Sequence, residues 1–221
     1  MDYFYQVFTI IKNDFLCSEN EDQRKFREIE MMDKIYIEEK KFEKIDFSEN
    51  RMTMGDYEKC TFVNCNFSNA DLSNIVFFEC EFNGCNLSLV KLTKTAFRDV
   101  KFINCKLLGL HFENCNEFLF SVYFENCNLN LASFYKQNLK KTKFIKSSLQ
   151  EVDFTQADLT DSLFDNCDLS GATFIHAVLE KADFRTSDHY SIDPEINRIK
   201  KAKFSLAGIA GLLNKYDIEI D

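Results

Sequence analysis

The chain has 221 residues, 45% of them hydrophobic, and a formal net charge of −9, which suits a folded protein and argues against direct nucleic-acid binding, a task for basic surfaces. It holds 24 phenylalanines but no tryptophan, 6 glycines and 1 proline, too few turn formers for a β-sandwich with tight loops. No run nears the roughly eighteen apolar residues of a membrane span, and MDYFYQVFTIIKNDF opens with an acid and lacks a basic leader and a small-residue cleavage site, so the expected location is the cytoplasm.

Residues 1–34 combine this apolar stretch with the charged SENEDQRKFREIEMMDK. They read as a strand or short helix followed by a helix, and they are expected to cap whatever follows. From Ile37 a different rule takes over. Every fifth residue is large and apolar, from Phe42, Phe47 and Met52 through Tyr57 to Phe112, and again from Phe124 to Phe184. An amphipathic helix needs a period near 3.6 and a half-buried strand a period of 2, so this is an internal repeat of another kind.

The position two before each of these residues is equally regular and mostly small, as at Cys60, Cys65, Ala70, Ala132, Ala157 and Ala172. Two inward residues per five, one large and one small, describe a narrow tube filled by its own side chains. The residues between, such as Asn66, Ser68 and Asp71, are polar and suit solvent-facing turns.

Eight of the nine cysteines, all but Cys17, fall in the small slot, where a reduced cysteine packs as a small hydrophobe. Zinc is the sharper alternative, but no CxxC pair occurs and no histidine accompanies them, so no metal or other cofactor is expected. Stacking of Cys60 on Cys80 would permit a disulfide only in an oxidising compartment.

The stretches CNFSNADLSN, ADLTDSLF and CDLSGATF resemble the pentapeptide repeat: a small residue, Asp or Asn, Leu or Phe, Ser or Thr, then a variable residue. The resemblance covers Ile35 to Phe184 and implies an all-β solenoid, a right-handed quadrilateral β-helix of about seven coils with four repeats per coil. It assigns residues 1–34 to an N-terminal cap, 35–184 to the β-helix and 185–221 to a C-terminal cap or dimerisation module. Sorting every fifth residue into four columns tests the square coil. One column is all phenylalanine, from Phe42 through Phe62, Phe82 and Phe102 to Phe124, Phe144, Phe164 and Phe184, provided two residues are inserted between Phe112 and Phe124. The insertion is expected as a bulge at Asn114–Val122, with Phe118, Leu119 and Phe120 as either a projecting tip or a shifted inward residue.

After Phe184 the polar RTSDHYSIDPEIN reads as a connector. The tail RIKKAKFSLAGIAGLLNKYDIEID then suits a short amphipathic helix, with Leu206, Ile209, Ala210, Leu212 and Leu213 on one side, and a last strand over Asp217–Ile220. An array with this tail is similar to the Qnr-type pentapeptide proteins. That resemblance implies a rod that mimics duplex DNA, binds DNA gyrase or topoisomerase IV and protects it from quinolones, and forms a homodimer through its C-terminal module. The candidate dimer surface is Leu206, Ile209, Leu212, Leu213, Tyr216, Ile218 and Ile220.

No HExxH, GxSxG, GxGxxG or phosphate-loop motif occurs, and a tube filled with Phe and Leu leaves no internal pocket, so a binding protein is expected rather than an enzyme. Charge marks two neighbouring segments. Glu151, Asp153, Asp158, Asp161, Asp165 and Asp168 form a run of acids without a base, directly after Lys136, Lys140, Lys141, Lys143 and Lys146. The candidate partner-binding surface comprises this acid run together with Glu113, Glu117, Phe118, Phe120 and Glu125 near the insertion. Two further readings stand beside the topoisomerase one: a generic protein-interaction scaffold, and immunity against a toxin that targets gyrase.

Overall fold

The computed structural model describes residues 35–216 and 218–219. The expected N-terminal cap over 1–34, Cys17, Asp217 and Ile220 lie outside them. The described chain is a parallel β-solenoid whose coils repeat every 20 residues, with the five-residue spacing setting its four sides. Strands Lys41–Glu43 (β2), Thr61–Val63 (β4), Glu81–Asn83 (β6), Val100–Ile103 (β8), Val122–Glu125 (β9), Lys143–Ile145 (β10) and Leu163–Asp165 (β11) pair in parallel on the first face. Their register sets Phe42 against Phe62, Phe62 against Phe82, Phe82 against Phe102, Phe102 against Phe124, and on through Phe144 to Phe164. Strands Ile35–Glu38 (β1), Gly55–Glu58 (β3), Val76–Phe78 (β5) and Ala96–Arg98 (β7) form a second parallel sheet on the fourth face. The second and third faces are linked by single bridges, such as Asn66 to Asn86 and Ser133 to Asp153.

The interior is the column structure that the five-residue spacing predicts. On the first face the rings stack coil upon coil with centroids 4.5–5.5 Å apart and planes within 19° of parallel. Neighbouring columns meet edge to face, as Phe144 does with Phe154 at 80°. Offset stacking along the axis and T-contacts across it are the two arrangements the ring quadrupole favours, and each adds about 0.5–1.5 kcal/mol to the area buried.

The stack continues past Phe184. Phe204 lies 5.5 Å from Phe184 with planes 4° apart, and Val178 pairs with Arg198 and Asp183 with Lys203. The segment expected as a polar connector therefore carries another turn of the coil, with Ser187, Tyr190, Ile192 and Asn197 buried. Its polar residues hide the repeat because they fill inward positions by hydrogen bonding. The Asn197 side chain donates to the Phe174 carbonyl at 2.8 Å and accepts from the Ala177 amide at 2.8 Å.

The tail corrects a second expectation. In place of an amphipathic helix there are two 3-10 turns, Ile209–Leu212 and Asn214–Tyr216, and the described residues of the expected last strand, Ile218 and Glu219, are not in a strand. The cause is the close seating of the tail on Tyr190. A Cβ on Gly208 would lie 2.2 Å from the Tyr190 hydroxyl, and one on Gly211 would lie 2.2 Å from the Tyr190 carbonyl. The Gly211 carbonyl also accepts the Ile192 amide at 2.9 Å. Both contacts need glycine, a residue that costs a helix about 1 kcal/mol relative to alanine.

Phe144 is fully buried between Phe124 and Phe164. Phe144→Ala is expected to lower the unfolding free energy by about 3–5 kcal/mol, measured by urea titration followed by circular dichroism. A loss below about 1 kcal/mol would contradict a close-packed column.

Candidate functional site

Chemistry-bearing groups occur in three places: the buried thiols, the outward carboxylates and amines, and the apolar residues at the insertion and tail. The thiols come first because they hold the corners. Cys60, Cys65, Cys80, Cys85, Cys105, Cys115, Cys127 and Cys167 are all buried and free, including Cys60 and Cys80. Seven of these eight, all but Cys115, follow a strand-paired residue such as Phe62 or Phe82. Where alanine occupies the slot, its own amide usually closes a turn onto the carbonyl three residues back, as Ala70 does on Phe67 at 2.8 Å and Ala157 on Phe154 at 3.1 Å. At the strand corners a thiol from the next coil supplies the bond instead. Cys85 donates to the Phe62 carbonyl, Cys105 to Phe82, Cys127 to Phe102 and Cys167 to Phe144, each at 3.3 Å. Ser187 does the same to Phe164 at 2.9 Å. The slot cysteines are thus donors as well as small hydrophobes, a role hidden in the sequence except that serine alternates with cysteine at Ser147, Cys167 and Ser187. Among the described residues no group of three or more His, Cys, Asp or Glu side chains could hold a metal ion.

The acids of the run Glu151–Asp168 do not gather on one face. Asp153 stands on the third face, Asp158 on the fourth, Asp165 on the first and Asp168 on the second, while Glu151 and Asp161 sit at corners. Asp153, Asp158 and Asp168 also have local duties, each accepting the backbone amide two residues on at 2.8–3.1 Å. Partial burial pushes the Asp168 carboxyl up, but bonds from the Ser170 hydroxyl, Gln150 and His189 outweigh it and hold the group well below the usual carboxylate range. Asp158 is lowered in the same way, with Thr160 and Lys140 overcoming burial. Glu113 faces His111 Nδ1 at 2.8 Å, and Glu125 accepts the Tyr123 hydroxyl at 2.8 Å.

The insertion forms a short bulge beyond Asn116. The ladder holds on both sides, through Lys94 amide to Asn114 carbonyl at 2.8 Å and Val100 amide to Ser121 carbonyl at 3.0 Å. Phe120 turns inward and packs edge-on against Phe112 at 6.2 Å. Phe118 and Leu119 project and Glu117 is exposed, with the Arg98 guanidinium 5.4 Å above the Phe118 ring. Both readings of this segment are therefore met, by different residues. The tail candidates divide likewise. Leu206, Ile209, Tyr216 and Ile218 are exposed, whereas Leu213 is half-buried and Leu212 packs on the core.

A filled parallel β-solenoid whose outward side chains are set by a five-residue repeat defines the class of solenoid repeat proteins. The family model described as "Pentapeptide repeat region" matches residues 55–117 and 118–191, and the chain belongs to the pentapeptide-repeat family. Among solved structures it is similar to HetL, a pentapeptide repeat protein involved in heterocyst differentiation regulation from the cyanobacterium Nostoc sp. strain PCC 7120, at 17% identity and TM-score 0.51, covering 86% of this chain and 95% of that one. It is also similar to a trypsin-treated form of QnrB1, a plasmid-mediated fluoroquinolone resistance protein, at 23% identity and TM-score 0.41, covering 85% of this chain and all of that one. At these identities the likeness is one of fold. Comparison with curated proteins finds no match.

Two measurements check the thiols. Cys105→Ala removes the donor to the Phe82 carbonyl and is expected to cost about 1–3 kcal/mol, with Cys105→Ser costing less because serine fills the same role at Ser187. Burial also raises the Cys167 thiol from its ordinary 9.0 to about 11 and Cys80 to about 12. The unfolded chain therefore loses these protons first, and their stabilisation is complete below pH 9 and declines as pH rises through 9 towards 11–12. The urea midpoint should fall across that window, and less so in Cys80→Ala/Cys167→Ala. A midpoint that stays flat in the parent protein would contradict the assignment.

Proposed function

We propose that this protein is a non-catalytic binding rod that docks on DNA gyrase or topoisomerase IV through an acidic edge and protects the enzyme from quinolones. The observation that carries the reading is an edge of carboxylates along the second and third faces. Asp168 and Asp188 stack in one column, Asp153 stands in the next, and Glu151 lies at the corner between them. These faces bear no lysine or arginine between Ser147 and Asp188. Coils in a parallel ladder rise about 4.8 Å each, so Asp168 and Asp188 hold their carboxylates one coil apart on a rigid frame beside Asp153 and Glu151, and cationic grooves attract such a patch. The resemblance of the array to Qnr-type sequences points to the same class of partner. The exposed Leu206, Ile209, Tyr216 and Ile218 form an apolar end surface that suits a second copy of the chain, giving an end-to-end homodimer.

A second reading, a scaffold for another protein partner, is favoured by the basic ring at Lys140, Lys141, Lys143 and Lys146, since uniform DNA mimicry would not carry it. Supercoiling by purified gyrase in the presence of a quinolone separates the two. Restored supercoiling on titration of this protein is the expected result, and neither rescue nor inhibition of the drug-free enzyme would reject the topoisomerase reading. Sedimentation velocity tests the dimer. Leu206→Asp/Ile209→Asp should convert it to monomer without changing the β circular dichroism, whereas a parent protein already monomeric at micromolar concentration would remove the end-to-end dimer.

A further inference from the structure

Sorting outward residues by column shows charge that the linear sequence hides. From Lys140 onward, the fourth face, the first face and the corner between them form a basic edge. One column at this corner reads Lys141, Asp161, Lys181 and Lys201, each stacked one coil above the last. The neighbouring first-face column reads Lys143, Leu163, Asp183 and Lys203. On the fourth face Asp158, Val178 and Arg198 share a column.

Of the acids on this edge all but Asp165, which is bonded to Asn166 and Thr186, are neutralised within it. Lys140 pairs with Asp158 at 3.1 Å, Lys181 with Asp161 at 3.8 Å and Arg198 with Glu180 at 2.6 Å. Asp183 takes both Arg185 at 2.8 Å and Lys203 at 3.5 Å. Lys141, Lys143, Lys200 and Lys201 form no ion pair with any described residue, and all are exposed. The surplus is positive on a protein whose net charge is −9, and it lies opposite the carboxylate edge of the second and third faces.

We infer that this basic edge is a second interaction surface and that its occupant is an acidic polypeptide segment. Sign alone would admit any polyanion, but the spacing does not. The free lysines lie in two groups, at Lys141 and Lys143 and at Lys200 and Lys201, three coils or about 14 Å apart. Between the groups stand Asp158, Asp161 and Asp165. A nucleic-acid strand carries charge at every step and would meet there only Asp165 and groups already paired with one another, with no free lysine. A polypeptide can place acids opposite the two basic groups and a neutral or basic residue between them. The residue types agree. Arg185 and Arg198, the side chains built for bidentate phosphate binding, are engaged with Asp183 and Glu180, leaving only lysines as point charges.

The test uses the full-length protein and fluorescence anisotropy of a labelled peptide with two triglutamate blocks separated by about four Gly/Ser residues, roughly 14 Å when extended, with a duplex DNA of equal charge as the rival probe. The two-block peptide should bind, DNA should bind more weakly, and raising NaCl from about 50 to about 300 mM should weaken the complex. Lys141→Glu/Lys143→Glu/Lys200→Glu/Lys201→Glu alters only exposed side chains and should reduce affinity at least about tenfold with unchanged circular dichroism. Glu151→Lys/Asp188→Lys on the opposite edge should not reduce it. No binding of the two-block peptide, equal binding after the fourfold reversal, or tighter binding of DNA would each overturn the proposal. This surface is independent of the topoisomerase reading, so the supercoiling assay and the anisotropy assay can fail separately.

Discussion

Each coil hydrogen-bonds to the next only if both trace the same path, and the rest of the structure depends on that congruence. Backbone pairs recur at a separation of 20 residues on all four faces, as from Asn66 to Asn86 and from Ser133 to Asp153. A ladder of this kind fixes the cross-section of the tube, and a fixed cross-section accepts one shape of side chain at each site. That is why phenylalanine lies on phenylalanine from Phe42 to Phe204. It also explains the fate of the two extra residues after Phe112. Because the ladder holds at Asn114 and again at Ser121, the surplus length is expelled to the outside, where Phe118 and Leu119 project, and the interior column is repaired by Phe120.

The corners show how such a frame satisfies its polar groups without conventional turns. A carbonyl that ends a strand segment faces the tube interior with no turn amide to receive, and an unsatisfied buried carbonyl costs about 1–3 kcal/mol. A cysteine, serine or asparagine from the following coil bonds to it, at Phe62, Phe82, Phe164 and Phe174 among others. The sheet on the fourth face ends at Ala96–Arg98, just before the bulge. The slots that follow this face change at the same place, from Cys60, Cys80 and Val100 to Thr142, Ser162 and Ala182. On the first face strands persist to Leu163–Asp165, and the slots stay cysteine or serine. Slot chemistry and corner type change together.

What the sequence revealed follows from where constraint is tight. The ruler residues, their sorting into columns and the place of the insertion were legible because interior positions admit only large or small apolar groups. The coil beyond Phe184 was not, because Ser187 and Asn197 do by hydrogen bonding what alanine does by size. The tail misled because a helical spacing at Leu206, Ile209 and Leu213 carries no sign that Gly208 and Gly211 must press against Tyr190. The charged edges were open to sequence reasoning but needed the register. Glu151 to Asp168 form one acidic run along the chain, yet they encircle the rod, and only stacking on the coils above and below separates an acidic edge from a basic one.

Function in such a molecule resides in side chains that the fold barely constrains, presented at spacings that it constrains closely. A surface carboxylate or amine is worth little by itself, about 0–1 kcal/mol per exposed pair, so recognition rests on several charges meeting their partners at once. A frame that rises about 4.8 Å per coil supplies that coincidence without ordering entropy, because the backbone of each coil is already fixed. Over the stretch from Lys140 to Lys203 one side of the rod presents Glu151, Asp153, Asp168 and Asp188, and the other presents Lys141, Lys143, Lys200 and Lys201. A cation-lined groove therefore meets an attractive surface in one orientation about the rod axis and a repulsive one in the opposite orientation. Its polarity fixes the rotational register of any complex and leaves the basic edge turned outward, free for a partner of opposite sign.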